Sequence, residues 1–374
     1  MRVLVAPDKF RGTLTAEQAS RAIASGWRRV RPGDEISLVP MADGGEGTLE
    51  ALVEGLGGRL VDGRVCGPLG DPLSAPLGLV ETSTGTTVIV EMARASGLAL
   101  IGEDRRDPRR TTTRGTGELI RLGLEHRPAQ VIVCIGGSAT NDGGVGMAQA
   151  LSGRFLDAAG GELKPGGAAL LELDRIDLRP LHDLVGSRVS FVVASDVDNP
   201  LCGPRGASAV YAPQKGANPD DVLLLDGALR HLAAVAARDI GIDRKDDPGA
   251  GAAGGLGFGL MAFLGARVRP GVEVVMDAVG LHGRLAEADL VVTGEGTFDR
   301  QSLFGKTVAG VLGAASEAGV RAAIVCGRAE IEHGGTIVRS LVDRFGAAAA
   351  LDDTRRSLET LSEEMARDIG GSRL

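Results

Sequence analysis

Residues 1–20 read MRVLVAPDKFRGTLTAEQAS, and this stretch indicates the fold class. The short apolar run over 3–6 predicts a strand. Thr15, followed three residues later by Gln18, is typical of a capping box that begins a helix, and the helical pattern extends to about Val30. A strand followed at once by a helix is the repeating unit of a parallel α/β sheet.

A second unit of this kind follows, and the pattern then changes. The second strand is predicted over 36–39 and its helix over about 46–57. From 59 to 92 the apolar runs are short and separated by Gly/Pro turns, which favours antiparallel strands. Near the C-terminus, strands are predicted over 290–292, 322–325 and 347–351, and helices over about 305–318 and 336–345.

These units predict a split domain. Two clean units at the start and three at the end make one five-stranded doubly wound sheet, formed by 1–62 plus 287–374. Residues 63–286 form a second α/β domain inserted into the first, with antiparallel strands near its start. The uncharged stretch 248–266 contains seven glycines, so we expect a Gly-rich loop that enters a buried helix rather than a membrane span.

Composition excludes several classes of protein. The net charge is −8 and aromatic residues are 3%, which disfavours nucleic-acid binding and base stacking. The four cysteines form no CxxC pair, and the N-terminus resembles a strand rather than a signal peptide. We therefore expect a cytoplasmic protein with no membrane or nucleic-acid partner.

Lysine is rare in this chain. Of 41 basic residues only Lys9, Lys164, Lys215, Lys245 and Lys306 are lysine. A chain that defaults to arginine keeps lysine where a compact, flexible ammonium is needed, or its few lysines follow codon bias. Both interpretations stay open at the level of sequence.

Carboxylates follow three predicted strands of the split sheet. The loops APDKFRG (6–12), MADGGEGT (41–48) and TGEGTFD (293–299) contain Asp8, Lys9, Arg11, Asp43, Glu46, Glu295 and Asp299. Each loop alone could be an ordinary turn or helix cap. Because open parallel sheets bind ligands at the carboxyl ends of their strands, three such loops at one edge predict a functional site.

The inserted segment offers two more loops of this type. IGGSATNDGG (135–144) follows a strand and begins a helix, so its backbone amides suit an anion, and Ser138, Thr140 and Asn141 add neutral donors. ASDVDNP (194–200) places Asp196 and Asp198 after another strand, a spacing that suits Mg²⁺. A turn in which one Asp caps a backbone amide is the alternative.

Other kinds of site lack their motifs. Gly305-Lys306-Thr307 resembles the end of a P-loop, but position 300 is Arg where that motif requires Gly. No GxGxxG follows a strand, and neither HExxH nor a GxSxG triad is present. An anion-binding Gly loop, carboxylates and a few cations are what phosphoryl transfer needs. The residues alone therefore predict a phosphoryl-transfer or phosphate-binding enzyme.

Together these loops resemble the glycerate kinase family, of the glycerate 2-kinase type. The matching segments run in order over most of the chain and thin out after about residue 330: APDKFRGTLTAEQAS (6–20), PMADGGEGT (40–48), VEMARASGL (90–98), TTTRGTGELI (111–120), GGSATNDGG (136–144), DVDNPLCGPRGA (196–207) and VVTGEGTFDRQSLFGKT (291–307). The resemblance implies a flavodoxin-like domain carrying an inserted α/β domain. It also implies transfer of the γ-phosphoryl group of ATP to the 2-hydroxyl of D-glycerate, with Mg²⁺.

The resemblance also implies roles for individual residues. Catalysis is assigned to Asp196, Asp198 and Lys9, with both aspartates as metal ligands. The other expected roles are substrate binding by Arg11, Asp8 and Arg94, phosphate binding by Gly137, Ser138, Thr140, Asn141, Asp142, Gly143 and Gly144, and an acidic cluster of Asp43, Glu46, Glu295 and Asp299. The chain departs from the family pattern with PDKFRG where PDSFKG is frequent, with Arg114 in place of an aromatic residue, and with Thr297 in place of Arg.

Alternatives to this function stay open. They are a kinase for a related small hydroxy acid, formation of 3-phosphoglycerate, and a two-domain ligand sensor without enzymatic activity. The expected partners are D-glycerate and ATP, and the expected assembly is a monomer or a homodimer.

Overall fold

The computed structural model describes residues 1–10, 12–303 and 306–371 of the chain. The strands are β1 (Arg2–Val5), β2 (Glu35–Leu38), β3 (Arg59–Cys66), β4 (Pro72–Thr82), β5 (Gly85–Glu91), β6 (Gln130–Cys134), β7 (Arg154–Leu156), β8 (Arg175–Asp177), β9 (Ser190–Ala194), β10 (Arg267–Arg269), β11 (Leu290–Phe298), β12 (Arg321–Ala329) and β13 (Ile337–Ser340). The helices are α1 (Ala16–Val30), α2 (Thr48–Gly55), α3 (Ala93–Ser96), α4 (Arg114–Leu124), α5 (Val145–Ala150), α6 (Arg179–Val185), α7 (Ala207–Tyr211), α8 (Pro219–Ile240), α9 (Ala252–Leu264), α10 (Gly271–Ala278), α11 (Leu281–Ala286), α12 (Thr307–Glu317), α13 (Leu341–Phe345), α14 (Ala347–Asp352) and α15 (Thr354–Gly371).

Helix α1 begins where the sequence predicts. The Gln18 amide donates to the Thr15 hydroxyl at 3.2 Å, and the Thr15 amide donates to the Gln18 side-chain oxygen at 3.0 Å. This capping box satisfies donors that a helix start leaves without intrahelical partners. The apolar face of α1, with Ile23 and Trp27, then packs in one core with Val5 of β1.

The chain forms two compact units. Unit 1 comprises Met1–Asp43, Glu50–Gly57 and Pro270–Leu374, and unit 2 comprises Gly44–Leu49 and Gly58–Arg269. The sequence predicts domains of 1–62 plus 287–374 and of 63–286, and this division stays a prediction. In the structure β3 lies in unit 2, whereas α10 and α11 lie in unit 1.

The sheet of unit 1 is doubly wound. Its strand order is β2-β1-β11-β12-β13, and every neighbouring pair is parallel. Counted within the unit this order is 2-1-3-4-5, which is the order of flavodoxin-like sheets. The predicted fold class is therefore confirmed. The order reverses between β1 and β11, and ligands bind at such switch points in open sheets.

The sheet of unit 2 is mixed. Its order is β10-β9-β6-β5-β4-β3, with antiparallel pairing among β3, β4 and β5 and parallel pairing from β5 to β10. The antiparallel strands predicted between residues 59 and 92 are confirmed. The glycine-rich stretch that the sequence assigns to a buried helix forms α9, whose first turn departs from helical geometry at residues 253–255.

Two elements predicted near the C-terminus are wrong. The sequence predicts a helix over 336–345, but Ile337–Ser340 pair with β12 as the edge strand β13. The helix α13 starts only afterwards, because the Ser340 hydroxyl accepts a hydrogen bond from the Asp343 amide at 3.2 Å. The strand predicted over 347–351 is helix α14, which agrees with the high helix propensity of alanine.

In the part of the chain that the structure describes, no helix combines the length and apolar character needed to cross a membrane.

Candidate active site

Three parallel strands of unit 2 end level with one another. Glu91 ends β5 and pairs with Cys134 at the end of β6, which pairs with Ala194 at the end of β9. The backbone ladder continues one residue further, because the Met92 amide donates to the Cys134 carbonyl at 3.0 Å and the Ile135 amide donates to the Ala194 carbonyl at 3.2 Å. The three segments that leave the sheet here contain Arg94, the loop 135–144 and the Asp196/Asp198 pair.

The loop 135–144 is held in place by its backbone. The Gly143 amide donates to the Gly254 carbonyl at 3.1 Å. Gly254 has φ +69°, and a Cβ there would lie 1.9 Å from the Thr140 carbonyl oxygen, so this close approach requires glycine. Asn141 donates from Nδ2 to the Ser208 hydroxyl at 3.0 Å. Within the described ranges its buried Oδ1 has no hydrogen-bond partner, so this loop contains an unused acceptor.

Asp142 anchors this loop from inside. Its carboxylate accepts hydrogen bonds from the Thr113 amide at 2.8 Å, the hydroxyls of Thr113 and Thr112 at 3.0 and 3.2 Å, and the amides of Gly144 and Gly146 at 3.2 Å each. Burial raises the pKa of the Asp142 carboxyl, and the hydrogen bonds from Thr113, Gly144 and Gly146 oppose that shift. In this structure the Asp142 carboxylate is used inside the protein to hold the loop. Its expected role in phosphate binding stays a prediction.

Glu46 lies against the same loop. A Cβ at Gly137 would lie 2.6 Å from Oε1 of Glu46, and Gly137, Gly143 and Gly144 all have positive φ. The sequence groups Glu46 with Asp43 in one acidic cluster. Because Glu46 belongs to unit 2 and Asp43 to unit 1, that grouping stays a prediction.

Arg94 is positioned by a buried carboxylate. Glu91, only 2% exposed, accepts a hydrogen bond from Nε of Arg94 at 3.1 Å through Oε1. Its Oε2 accepts from the Gly47 amide at 2.9 Å and from the Leu49 amide at 3.2 Å. Glu91 therefore connects Arg94 to the segment 44–49. The Arg94 guanidinium is a group that could bind a carboxylate.

The β9 loop presents two carboxylates at the surface. Asp196 and Asp198 are both exposed. The turn itself is closed by Ser195, whose hydroxyl accepts a hydrogen bond from the Val197 amide at 3.2 Å. The acceptor for the Val197 amide in this turn is therefore the Ser195 hydroxyl and not the Asp198 carboxylate. Across the described residues, no group of three or more His, Cys, Asp or Glu side chains could hold a metal by itself.

Unit 1 has its own cluster at the switch point between β1 and β11. Asp8 is 7% exposed, and its amide donates to the Gly294 carbonyl at 2.8 Å. The Asp8 carboxylate accepts hydrogen bonds from the Thr307 hydroxyl and from the Lys9 amide, each at 2.6 Å. Burial raises the pKa of Asp8, the nearby Asp43 adds to this shift, and Lys9 and Thr307 oppose it.

Glu295 completes this cluster. Burial raises its pKa to about 7, with further increases from the charges of Asp8 and Asp299 and opposing effects from Ser302 and Lys306. Its buried Oε1 accepts no hydrogen bond from the described residues. A carboxyl that titrates near neutral pH can hold or release a proton under physiological conditions.

The remaining predicted residues of unit 1 lie nearby or cannot be placed. The Lys9 ammonium lies 3.9 Å from the Asp43 carboxylate, both partly exposed. Asp299 accepts a hydrogen bond from the Ser302 amide at 3.0 Å and stabilises the turn after β11. Arg11, expected to bind substrate, lies outside the described residues.

Sequence reasoning missed several residues that hold these groups. Glu91 is part of the segment VEMARASGL, but its role depends on segment 44–49, which is distant in sequence. Thr307 contacts Asp8 across 299 positions, and Lys215 reaches Ser138 across 77. Only Lys215 carried a signal in the sequence, as one of five lysines in an arginine-rich chain.

We expect Glu295→Gln to stabilise the protein at high pH and not at low pH. The folded-state pKa of about 7 lies above the usual 4.5, so the stability linked to the protonated carboxyl is full below pH 4.5 and is lost as pH rises through 7. Gln does not titrate, so the melting temperature of the variant should exceed wild type by about 5 °C at pH 8 and by under ~1 °C at pH 5.

The exposed Glu287→Gln is the matched control for this measurement and should shift the melting temperature equally at both pH values. Differential scanning fluorimetry across pH 5–8 is sufficient. An equal change for Glu295→Gln at pH 5 and pH 8 would show that this carboxyl ionises normally.

Comparisons with known proteins identify the family of this chain. The model of the Glycerate kinase family matches residues 3–370. A glycerate kinase of Bacillus subtilis (strain 168) is 44% identical, covering 100% of this chain and 97% of its own length. A glycerate 2-kinase of Escherichia coli (strain K12) is 45% identical, covering 85% of this chain and 82% of its own.

A solved structure gives the same result. The crystal structure described as a glycerate kinase 2 from Salmonella typhimurium LT2 superposes with a TM-score of 0.90 at 42% identity, covering 99% of this chain and 98% of that one. From the matched family and from these relatives, we conclude that the chain belongs to the glycerate kinase family and is an ATP-dependent kinase.

Proposed function

We propose that this protein transfers the γ-phosphoryl group of ATP to the 2-hydroxyl of D-glycerate. The main support for the proposal is that the parallel strands β5, β6 and β9 of unit 2 end at the same level of the sheet. One strand leads to a cation, the next to a glycine-rich loop with polar side chains, and the third to a pair of exposed carboxylates. Phosphoryl transfer is catalysed mainly by positioning and charge neutralisation, which this set of groups supports.

The loop 135–144 is proposed to bind phosphate. Its glycines allow a close approach of an anion, and the Ser138 hydroxyl supplies a neutral donor. Thr140 and Asn141 are fully buried and donate to the Ala253 carbonyl and the Ser208 hydroxyl, so their expected contact with phosphate stays a prediction. The anchoring of Asp142 and Gly254 fixes the loop before a ligand arrives. A preformed loop loses less conformational entropy when it binds phosphate.

Asp196 and Asp198 are proposed to hold Mg²⁺ and to orient the reacting hydroxyl. Mg²⁺ usually binds one or two protein carboxylates together with phosphate oxygens and water, so two exposed aspartates at a strand end fit it without further protein ligands. When bound, the ion would neutralise charge on the transferred phosphoryl group. The aspartates themselves fix the position at which the hydroxyl is held.

Arg94 is proposed to bind the carboxylate of glycerate. A guanidinium can bind a carboxylate through two parallel hydrogen bonds, and Glu91 holds Arg94 through Nε. Because the 2-hydroxyl is adjacent to the carboxylate, such a clamp fixes this oxygen more rigidly than the terminal one. This favours 2-phosphoglycerate as the product.

Asp8, Lys9 and Glu295 of unit 1 are proposed to contribute to substrate binding. They lie at the switch point of a flavodoxin-like sheet, where small ligands bind in folds of this kind.

We also propose a cytoplasmic location, which is supported by the four free cysteines. The assembly as a monomer or homodimer stays a prediction.

A coupled ADP-release assay over a panel of small hydroxy acids tests the activity. We expect D-glycerate to give the highest kcat/KM, with lower values for L-glycerate, lactate and glycolate. A higher kcat/KM for another acid would support the alternative of a related kinase. Tight binding of D-glycerate without ADP release would support the ligand sensor.

A further inference from the structure

Lys215 lies directly behind the loop 135–144. It ends a short turn over Pro213–Lys215, and its side chain is 1% exposed. Its ammonium donates to the Ser138 hydroxyl oxygen at 2.8 Å and to the Thr140 carbonyl at 2.7 Å. A fully buried lysine is unusual and needs partners that compensate for its lost hydration.

The contact with Ser138 has a consequence for the serine hydroxyl. A hydroxyl has one hydrogen to donate and accepts through its oxygen. Because Lys215 donates to this oxygen, the Ser138 hydrogen must point elsewhere, and no side chain or carbonyl in the described ranges accepts it. Donation from a cation also polarises the hydroxyl and makes it a stronger donor.

Burial and a nearby carboxylate have opposite effects on the Lys215 ammonium. Burial lowers the pKa of Lys215 to about 7, and the Asp142 carboxylate, which anchors the same loop, acts in the opposite direction. Asp142 is itself engaged by Thr113, Gly144 and Gly146. The loop thus has a buried amine at its base that donates to Ser138, and beside it a hydroxyl hydrogen with no acceptor among the described residues, which is an arrangement suited to an anion.

We propose that Lys215 is a positioning residue for phosphate binding, which holds the Ser138 hydroxyl oxygen so that the hydroxyl hydrogen is donated to a phosphate oxygen of the nucleotide. The inference rests on the proposed function of loop 135–144. Lysine is suited to this position because its compact ammonium donates to two oxygens where a planar guanidinium would need more space.

The test is a double-mutant cycle on Lys215→Met and Ser138→Ala, with kcat/KM for ATP as the measure. We expect Lys215→Met to lower this value about 100-fold and Ser138→Ala about 30-fold, as is typical of hydrogen bonds to charged groups. If Lys215 acts through Ser138, the double variant should lose under ~2-fold beyond Lys215→Met. The KM for D-glycerate should stay within about 2-fold of wild type.

Lys245→Met is the control, because Lys245 is a partly exposed lysine of the same unit that pairs with Asp243, and it should leave kcat/KM unchanged. If Lys215→Met does not fold, a comparison of Ser138→Thr with Ser138→Ala tests whether the Ser138 hydroxyl donates to phosphate. The threonine hydroxyl should keep kcat/KM for ATP within about 3-fold of wild type, whereas alanine should not. Equal values for the two would overturn the proposal, as would multiplicative losses in the cycle.

Isothermal titration with ADP separates this proposal from the proposed function. If wild type binds ADP but does not phosphorylate D-glycerate, the proposed function fails, and the same variants still test Lys215 through their Kd for ADP. An unchanged Kd in Ser138→Ala together with unchanged kcat/KM would contradict the role of Lys215 regardless of the acceptor.

Discussion

Asp196→Asn and Asp198→Asn are each expected to lower kcat for ADP release with D-glycerate by roughly 10³-fold. Asparagine has nearly the same shape but carries no charge, so it neither binds Mg²⁺ as strongly nor orients the hydroxyl through a carboxylate. Both side chains are exposed, so each variant should melt within a few degrees of wild type. We expect the larger loss at Asp196, as the resemblance to the family implies.

The alternative role of these aspartates as turn caps predicts a different result. Asparagine caps a backbone amide about as well as aspartate, so a capping role would leave kcat nearly unchanged. The exposed Asp220→Asn on helix α8 is the matched control and should retain wild-type activity. Near-wild-type kcat in both variants at saturating Mg²⁺ would contradict this part of the proposal and shift attention to Asp43, Glu46 and Glu295.

Asp142→Ala is expected to destabilise unit 2 by about 4 kcal/mol. The substitution removes the acceptor for five hydrogen bonds, and the amides of Thr113, Gly144 and Gly146 would be left buried without partners. The hydroxyls of Thr112 and Thr113 lose the same acceptor, and the three amides, which cannot reorient, account for most of the loss. Urea denaturation followed by circular dichroism measures the change.

Asp142→Asn is the control for Asp142→Ala. Asparagine retains one oxygen acceptor, but its side-chain NH2 faces N–H and O–H groups that also donate. The loss in the free energy of unfolding should therefore be about half as large. A free energy of unfolding within 1 kcal/mol of wild type in Asp142→Ala would show that the five contacts do not support the loop.

The elements predicted correctly depend on residues close together in the sequence. The capping box of Thr15 and Gln18 is local, and the strand–helix alternation that follows predicts the doubly wound sheet of unit 1. The error over 336–345 arose because apolar residues there fit a helical period, whereas pairing with β12 is a tertiary contact. Alanine at 347–350 carries little strand preference, and the structure has a helix there.

The site could be predicted only in part for the same reason. Loops after strands are visible in sequence, so the segment 135–144 and the pair Asp196/Asp198 could be singled out. The residues that hold them could not, because Lys215 contacts Ser138 across 77 positions and Glu91 contacts Leu49 across 42. Such partners are determined by packing of the whole unit rather than by local pattern.

Phosphorus NMR of the first product formed from ATP and D-glycerate shows which hydroxyl is phosphorylated. The proposed clamp of the substrate carboxylate holds the 2-oxygen in position, so we expect 2-phosphoglycerate as the initial product. Spectra taken in the first minutes, with purified enzyme and no mutase present, keep the two isomers distinct. Initial formation of 3-phosphoglycerate would show that the carboxylate clamp does not select the 2-oxygen.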